Sequence, residues 1–451
     1  MTFLLTGDRV DSLEAYAARG GLAGCAAAAA KDPGAIIEEI TASGLRGRGG
    51  AGFPAGVKWR SIAAGGAAAG ERFVVANGAE GEPGTFKDRA ILRHNPFLLV
   101  EGLVIAARAI GAERAFVALK SSFSIEADLV AAAAAEFAAA GLADDVRIEL
   151  VRGPDEYLFG EEKALLEVIE GEEPLPRLFP PYIYGLFTTS PQLGWSAGRR
   201  LDDQPGSNPT LVNNIETLST VPEILARGSN WYRTLGTEES PGTIVCTVSG
   251  DTVRHGVGEF EMGTPLSHVI DSLGGGLPSG RAVKYVLSGV SNPVIRADHL
   301  DTPLTYEHME AIGCGLGTGG FIVFDDRTDP GELAWAVSRF LAVESCGQCP
   351  ACKLGTARIT ELLDVGTDVP PPEVLAELSA RLANVTDGAR CFLPTQEQRL
   401  VTSLVADMRT AALRTAERGL LITKILDLAD NRFVLDERQA RKRPDWTYAE
   451  E

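Results

Sequence analysis

The chain has 451 residues, 45% of them hydrophobic, enough for about two to four domains with real cores and too apolar for a disordered polymer. Sixty-one acidic residues against 42 basic give a net charge of −19, which excludes an extended nucleic-acid surface and leaves charged proteins as natural partners. The amino terminus lacks the basic start and apolar core of a secretory signal, and no run of about eighteen apolar residues follows, so the expectation is a cytoplasmic protein that reaches a membrane only through partners.

Residues 1–43 read as helical, with Ile36, Ile37 and Ile40 on one face. A glycine-rich loop interrupts them. From residue 73 the sequence alternates: FVVAN predicts a strand, RAILRHNPFLLVEGLVIAARAIG one helix, AFVALK a strand, SIEADLVAAAAAEFAAAG a helix and VRIELVRG a strand. That succession predicts an α/β sheet with crossover helices. The stretch PRLFPPYIYGLFTTSPQLGWSAGRRLDDQPGSNPT is too rich in Pro and Gly for one regular element and predicts surface loop. Between about 240 and 325, TIVCTVSG, VKYVLSG and FIVF predict strands around one helix, PLSHVIDSLGG, a small α+β module. Beyond DPGELAWAVSRFLAVE the sequence reads as helical almost to 430. The expected domains are 1–238, 239–328 and 329–430, with a tail at 431–451 and no internal repeat.

Seven cysteines, an odd number, with four near the carboxyl end, argue for metal or cofactor chemistry over a disulfide framework. Cys346-x-x-Cys349-x-x-Cys352, with Cys391 further on, supplies four thiolates. Two chemistries fit: the four irons of a [4Fe–4S] cluster, or one tetrahedral zinc. Zinc sites more often use two separate C-x-x-C pairs, so the spacing favours the cluster. Two-residue gaps let three thiols converge from a tight loop, and the fourth must come from an element packed alongside. Cys25, Cys246 and Cys314 read as packing positions, and the five histidines have no ligand spacing.

GLRGRGGAGFPAGVKW, residues 44–59, contains Gly47-x-Gly49-x-x-Gly52 after a helix instead of a strand, so it fails the context of a dinucleotide fingerprint. Its glycines still let backbone amides approach a phosphate or flat ring, and Arg46, Arg48 and Lys58 add positive charge. The acidic loop NGAEGEPGTFKDR, residues 77–89, follows a predicted strand, where α/β sheets bind ligands, and Glu80 and Glu82 there can accept from ribose hydroxyls. In EYLFGEEKALLEVIEG, residues 156–171, Glu161 and Glu162 open a helix, where negative charge is favourable with no ligand at all.

Taken in order, these three segments, NPTLVNNIETL (208–218) and the cysteine segment closely resemble the NADH-oxidising flavoprotein subunit of respiratory complex I, a module shared with NAD-linked hydrogenases and formate dehydrogenases. The resemblance spans roughly residues 30–395. It implies a Rossmann-like FMN domain, a small β-grasp domain of the soluble ligand-binding type, and a helical bundle carrying a [4Fe–4S] cluster. It places the flavin against Gly47, Arg48, Gly49, Gly50, Ala51, Asn77, Asn213 and Asn214, and flavin and NADH together against Phe53, Lys58, Glu80, Glu82, Tyr157, Gly160, Glu161 and Glu162, with Cys346, Cys349, Cys352 and Cys391 on the cluster. No general acid or nucleophile is required, because the cofactors carry the reaction. A thioredoxin-like [2Fe–2S] subunit and further redox subunits are the implied partners, since no second ferredoxin region follows the cysteine segment.

This chain departs from the family in five places. Ala79 stands where the family has aspartate in N-A-D-E-G-E-P-G. Ser61 and Phe179 replace an aromatic and a lysine, leaving Tyr182 and Phe179 as stacking surface. Residues 188–207 run longer than the usual connection. After the fourth cysteine the family runs C-A-L-G-D-A-A-A-W-P, whereas this chain reads CFLPTQEQRLVTSL. The leading expectation is therefore an electron-entry subunit that passes electrons from NADH through FMN to the cluster and on to partners, as a paralogue in a smaller redox complex. The rival is a non-catalytic wiring or scaffold subunit that has lost nicotinamide binding.

Overall fold

A computed structural model describes residues 2–65, 70–188, 207–364 and 370–408, with the backbone of 425–427 and 434–435. The chain divides into two units: Met1–Gly81, Lys87–Val245 and Glu259–Gly263 form the first, and Glu82–Phe86, Cys246–Gly258 and Thr264–Glu451 the second.

The first unit begins with α1 (Leu13–Ala18), α2 (Ala23–Ala29) and α3 (Pro33–Ser43). α3 shows how local chemistry sets its ends: the Asp32 side chain accepts from Ala35 N–H, Pro33 occupies the first turn, and Gly44 closes the helix at φ 74°. α4 (Ala55–Ala63) follows the glycine loop and buries Trp59 and Ile62 completely. Then come β1 (Phe73–Gly78), α5 (Lys87–His94), α6 (Pro96–Ile110), β2 (Arg114–Lys120), α7 (Ser124–Ala139), β3 (Arg147–Gly153), α8 (Glu162–Ile169), β4 (Thr210–Asn214), α9 (Ile215–Arg227) and α10 (Ser229–Tyr232). β1 to β4 form one parallel sheet in the order β3-β2-β1-β4, the α/β sheet the alternation predicted and the Rossmann-like core the resemblance implied.

The helix expected over 89–111 is two helices, α5 and α6, bent by 99°. Pro96 has no N–H to continue the ladder, and its ring keeps Asn95 out of the helical region, at φ −153° and ψ 86°. α6 then packs on α9 through Gly102. A methyl group there would lie 2.1 Å from the Leu218 carbonyl oxygen, whose helical donor four residues on is missing because that residue is Pro222. Gly102→Ala should destabilise the protein by about 1–3 kcal/mol through overpacking; an unchanged urea midpoint would contradict this close approach.

A mixed sheet, in the second unit except for residues 243–245 and 259–261, is built from β5 (Thr243–Gly250), β6 (Gly256–Glu261), β7 (Val283–Ser288), β8 (Ile295–Arg296) and β9 (Gly320–Asp325), in the order β6-β5-β9-β7-β8. β5 and β9 are parallel, while β7 is antiparallel to both β9 and β8. α11 (Leu266–Val269), continued by a π-helical turn, and α12 (Tyr306–Ala311) complete this α+β part. α13 (Pro330–Glu344), α14 (Pro350–Leu363), α15 (Pro372–Asn384) and α16 (Leu393–Met408) form the helical bundle. The modules expected at 239–328 and 329–430 thus share one unit: Tyr285 Oη donates to Asp407 at 2.7 Å, Arg296 bonds Asp407 and the Ser403 carbonyl, and Gln396 Nε2 donates to Ser291 Oγ at 2.7 Å. The helical expectation holds to Met408, and residues 409–424, on which it also fell, lie outside the described residues. The described residues beyond them are a short antiparallel pair, β10 (Ile425–Asp427) and β11 (Val434–Leu435). The long connection at 188–207 lies almost wholly outside the described residues.

Candidate functional site

Strands β1, β2 and β3 progress to one side of the first unit's sheet, and β4 lies on the other side of β1, so the order reverses between β1 and β4. Open α/β sheets bind ligands at the carboxyl ends of the strands flanking such a reversal. The residues there are Asn77 and Asn214, paired in register, with Asn213 beside them. Three other segments converge on the same edge. The glycine loop arrives through Gly49, where a methyl would stand 3.4 Å from Asn214 Cβ, and through Trp59, whose Nε1 donates to Asn213 Oδ1 at 2.8 Å. The turn Tyr157–Gly160 arrives where Asn77 Nδ2 donates to the Gly160 carbonyl at 2.8 Å. Glu161 caps α8, accepting from the Lys163 and Ala164 amides, and Lys58 joins Glu162 at 2.9 Å.

Within the glycine loop, Gly50 and Gly52 adopt φ 110° and 62°, and Gly49, Ala51 and Phe53 are exposed. Side chains at these glycines would be strained and would fill the cradle, so the loop offers bare backbone to a phosphate or a flat ring. Trp59 fixes the Asn213 amide so that Nδ2 is its donating end. These features fit FMN.

The cations expected to serve the phosphate are engaged with protein. Arg48 is 2% exposed; its guanidinium donates to the Thr243 carbonyl and Tyr232 Oη, and its amide N–H donates to Thr217. It pins the loop to α9 and β5. Arg46 Nε donates to the Gly52 carbonyl at 2.7 Å, closing the loop on itself. The carboxylates expected at the nucleotide also have protein partners. Glu80 accepts from Asp88 N–H and Arg89 Nε at the start of α5, and Glu82, in the second unit, accepts from Val290 N–H and Ser291 Oγ. Burial pushes Glu161 up to about 7, opposed by Lys163 and the two amides it caps. Ala79 is buried in an apolar cluster with Phe159 and Val212, so its methyl adds no polar group to the cradle. Tyr182 is 57% exposed, whereas Phe179 leans on Tyr184 with ring centroids 4.7 Å apart.

Sequence reasoning missed a buried charge network behind this edge. Lys87 Nζ contacts Asp88 Oδ1 at 2.7 Å, Glu216 Oε2 at 2.8 Å and Asn214 Oδ1 at 2.9 Å, and Asn214 Nδ2 donates to Asp88 Oδ2 at 2.6 Å. Burial works against the Lys87 charge, but Asp88 and Glu216 outweigh it and hold its pKa above the usual lysine value. Burial, with Glu80 adding, pushes Asp88 up to about 6 against the pull of Lys87. At the end of β2, Lys120 is pushed down to about 8 by burial, with Nζ donating to the Asp155 carbonyl at 3.0 Å. Lys87 and Glu216 stand inside the segments already singled out, TFKDR and NNIET, and that position was the available signal.

Cys346 and Cys349 lie in the loop between α13 and α14, with Gly347 between them at φ 85°. Cys349 is the residue before α14, and Cys352 sits in its first turn, buried, with Sγ 3.3 Å from Ser345 Oγ. Cys391 stands in the turn before α16, not on a helix. The adjacent Arg390 donates through Nη1 to Gln348 Oε1 at 2.8 Å, and Gln348 lies between the first two cysteines, so this clasp ties the fourth thiol's segment to the other three. Burial raises the Cys352 thiol, and the charges of Cys349 and Cys346 add to that. Among the described residues no three His, Cys, Asp or Glu side chains gather closely enough to share one metal ion. A [4Fe–4S] cluster, in which each thiolate binds its own iron, asks for no such gathering, and four thiols on two clasped segments fit it. Of the other cysteines, Cys246 is buried, and Cys25 and Cys314 are half-buried.

A parallel sheet with a glycine cradle at its reversal and a bundle with four clasped cysteines define a flavin and iron–sulfur electron-transfer protein. Residues 40–223 match the family model for the Nuo51 FMN-binding domain, and residues 332–414 match that for the NADH-ubiquinone oxidoreductase-F iron-sulfur binding region. The chain belongs to the family of F-type NADH-quinone oxidoreductase subunits: it is 36% identical over 348 residues to the second such protein of Rhizobium meliloti (strain 1021), covering 74% of this chain and 78% of that one. It is likewise 36% identical to the F-type protein of Streptomyces coelicolor over 362 residues, 78% of this chain and 76% of that one. The crystal structure of an NAD+-reducing [NiFe]-hydrogenase in the H2-reduced state superposes with a TM-score of 0.75 at 32% identity, covering 90% of this chain and 68% of that one.

Proposed function

We propose that this chain is the electron-entry subunit of a multi-subunit redox complex, taking electrons from NADH and delivering them to partner subunits. The observation that carries this reading is that one chain holds both a flavin cradle at a sheet reversal and a four-cysteine clasp in a helical bundle. Bound at these places, FMN and a [4Fe–4S] cluster convert the two-electron chemistry of nicotinamide into one-electron steps. The protein's part is placement. Gly49 to Gly52 offer backbone to the flavin phosphate and ring, Asn77, Asn213 and Asn214 present amides from the strand ends, and Phe53 and Tyr182 offer exposed aromatic faces. The four predicted carboxylates bind ribose only by exchanging protein partners, Glu161 and Glu162 being the pair nearest the cradle's loop through Lys58.

The two curated relatives are named as subunits, which supports redox subunits as partners; a thioredoxin-like [2Fe–2S] protein among them is part of this proposal. Among the described residues no single helix is long and apolar enough to cross a membrane. That accords with a subunit reaching a membrane only through partners.

The decisive experiment is an anaerobic titration of the purified protein with NADH and then NADPH, alongside flavin, iron and zinc analysis. NADH should bleach the flavin absorbance at about one equivalent, and NADPH should do so more weakly, because its extra phosphate meets acidic side chains. Bleaching by neither nucleotide would leave the wiring or scaffold role instead. Zinc without iron would dismiss both.

A further inference from the structure

Glu397, six residues past Cys391 on α16, is 0% exposed, and among the described residues its Oε2 has no hydrogen-bond partner. Its Oε1 lies 2.6 Å from Ser338 Oγ on α13, and Ser338 Oγ lies 2.8 Å from Thr360 Oγ1 on α14. Thr360 Oγ1 donates to the Thr356 carbonyl at 2.9 Å, and Thr356 Oγ1 donates to the Cys352 carbonyl at 2.9 Å. The series from Glu397 stops at the Thr356 carbonyl, and the Thr356 hydroxyl makes a separate bond to the backbone of Cys352, which places the series one helical turn from that cysteine.

Each hydroxyl has one hydrogen to give. Thr360 spends its hydrogen on the Thr356 carbonyl, so the contact between Ser338 and Thr360 needs the Ser338 hydrogen. The short contact between Ser338 and Glu397 then needs a hydrogen on Glu397. A protonated acid satisfies the whole series, Glu397 to Ser338 to Thr360 to the carbonyl of Thr356. An ionised Glu397 reverses it: Ser338 turns to the carboxylate, Thr360 turns to Ser338, and the Thr356 carbonyl loses its side-chain donor. We propose that Glu397 carries a proton in the bundle core and that this proton is linked to the electron on the four-cysteine cluster, so that the cluster's reduction potential falls as pH rises.

The inference rests on the reading of the cysteines as cluster ligands. Above about pH 8, where Glu397 has lost its proton, one electron reaching the cluster is matched by one proton taken from water at Glu397; below it the proton is already in place and none is taken up. Burial pushes Glu397 up to about 8, with the Ser338 hydroxyl opposing. The charged groups on the packed helices are turned to other partners. Lys353 donates to the Ala342 and Ser345 carbonyls, Arg358 pairs with Glu377 and Glu361, and Arg399 stands over the Phe392 ring. Arg339 and Glu344 on α13 also have partners. Cys352 is the thiol that feels the Glu397 charge.

The test is a spectroscopically monitored redox titration of the cluster in the iron-loaded protein between about pH 6 and 10. The wild-type potential should be level below about pH 8 and fall above it, by at most tenfold in the reduction equilibrium per pH unit, or 59 mV for one electron. Glu397→Gln should be level throughout. A level wild-type profile, or a slope that survives in Glu397→Gln, would overturn the inference while leaving the cluster assignment standing. Protein that takes up no iron would overturn both. In cluster-free protein, the urea stability lost by the wild type as pH rises from about 4.5 through about 8 should be smaller in Glu397→Gln, because an acid whose pKa is raised by folding stabilises only while protonated; equal pH profiles there would also overturn the inference.

Discussion

Replacing Lys87 by methionine is expected to destabilise the protein by about 3–5 kcal/mol, read as a lowered urea midpoint. Lys87 is 0% exposed, and its ammonium is the one cation within 3 Å of both Asp88 and Glu216 among the described ion pairs. Methionine matches its length but leaves two buried carboxylates facing each other across Asn214. Glu216 also receives the Val245 amide at 2.8 Å, and Arg48 stands 3.9 Å away, so part of its charge stays compensated. Asp88 has less support, and its pKa, already about 6, should rise further. The loss should therefore shrink at lower pH, where the stranded carboxylates take up protons, and it should shrink in a Lys87→Met, Asp88→Asn, Glu216→Gln triple variant, which removes the charges together. A single variant within about 1 kcal/mol of wild type would show that the network holds little free energy.

Cys391→Ser should abolish the cluster and every electron transfer that passes through it, while NADH still bleaches the flavin. A neutral serine hydroxyl cannot replace a thiolate on iron at ordinary pH, and three remaining ligands leave one iron open. Iron per chain should fall to near zero, and reduction of one-electron acceptors that draw on the cluster should fall with it. Cys246→Ser is the matched control: this thiol lies in the second unit's sheet, away from the clasp, and its loss should leave iron untouched. Full iron retention in Cys391→Ser would remove Cys391 from the ligand set, and the Arg390–Gln348 clasp would then be a packing contact alone.

Much of the fold was legible because its strands are short apolar runs bounded by turns, as in FVVAN and AFVALK, and a buried parallel sheet demands such runs. The break at Asn95 was missed because apolar periodicity continues across it, although Pro96 alone forbids an unbroken ladder. β4 was hidden because TLVNN is five residues at the end of a Pro- and Gly-rich stretch. The cradle was legible as a set of ordered segments, whereas the occupation of its charges was not. The Arg48 guanidinium is held by the Thr243 carbonyl and Tyr232, which sequence could not show, because it reveals that a guanidinium is present but not which groups surround it. Nothing in the sequence marks Lys87, Asp88 or Glu397 as buried, since only three-dimensional packing decides that they are dry.

Gly81 belongs to one unit and Glu82 to the other, and the chain changes sides again after Phe86, Val245, Gly258 and Gly263. Residues 82–86 are stitched into the second unit by Glu82 on Val290 and Ser291, by the Gly84 carbonyl on Thr247, and by Thr85 against Thr318. No single cut of the gene frees either half, and an expression fragment stopping at residue 238 would carry five residues whose partners it lacks. Inheritance is constrained in the same way: the flavin half and the cluster half of such a protein cannot be shuffled as beads on a string, but must be exchanged together.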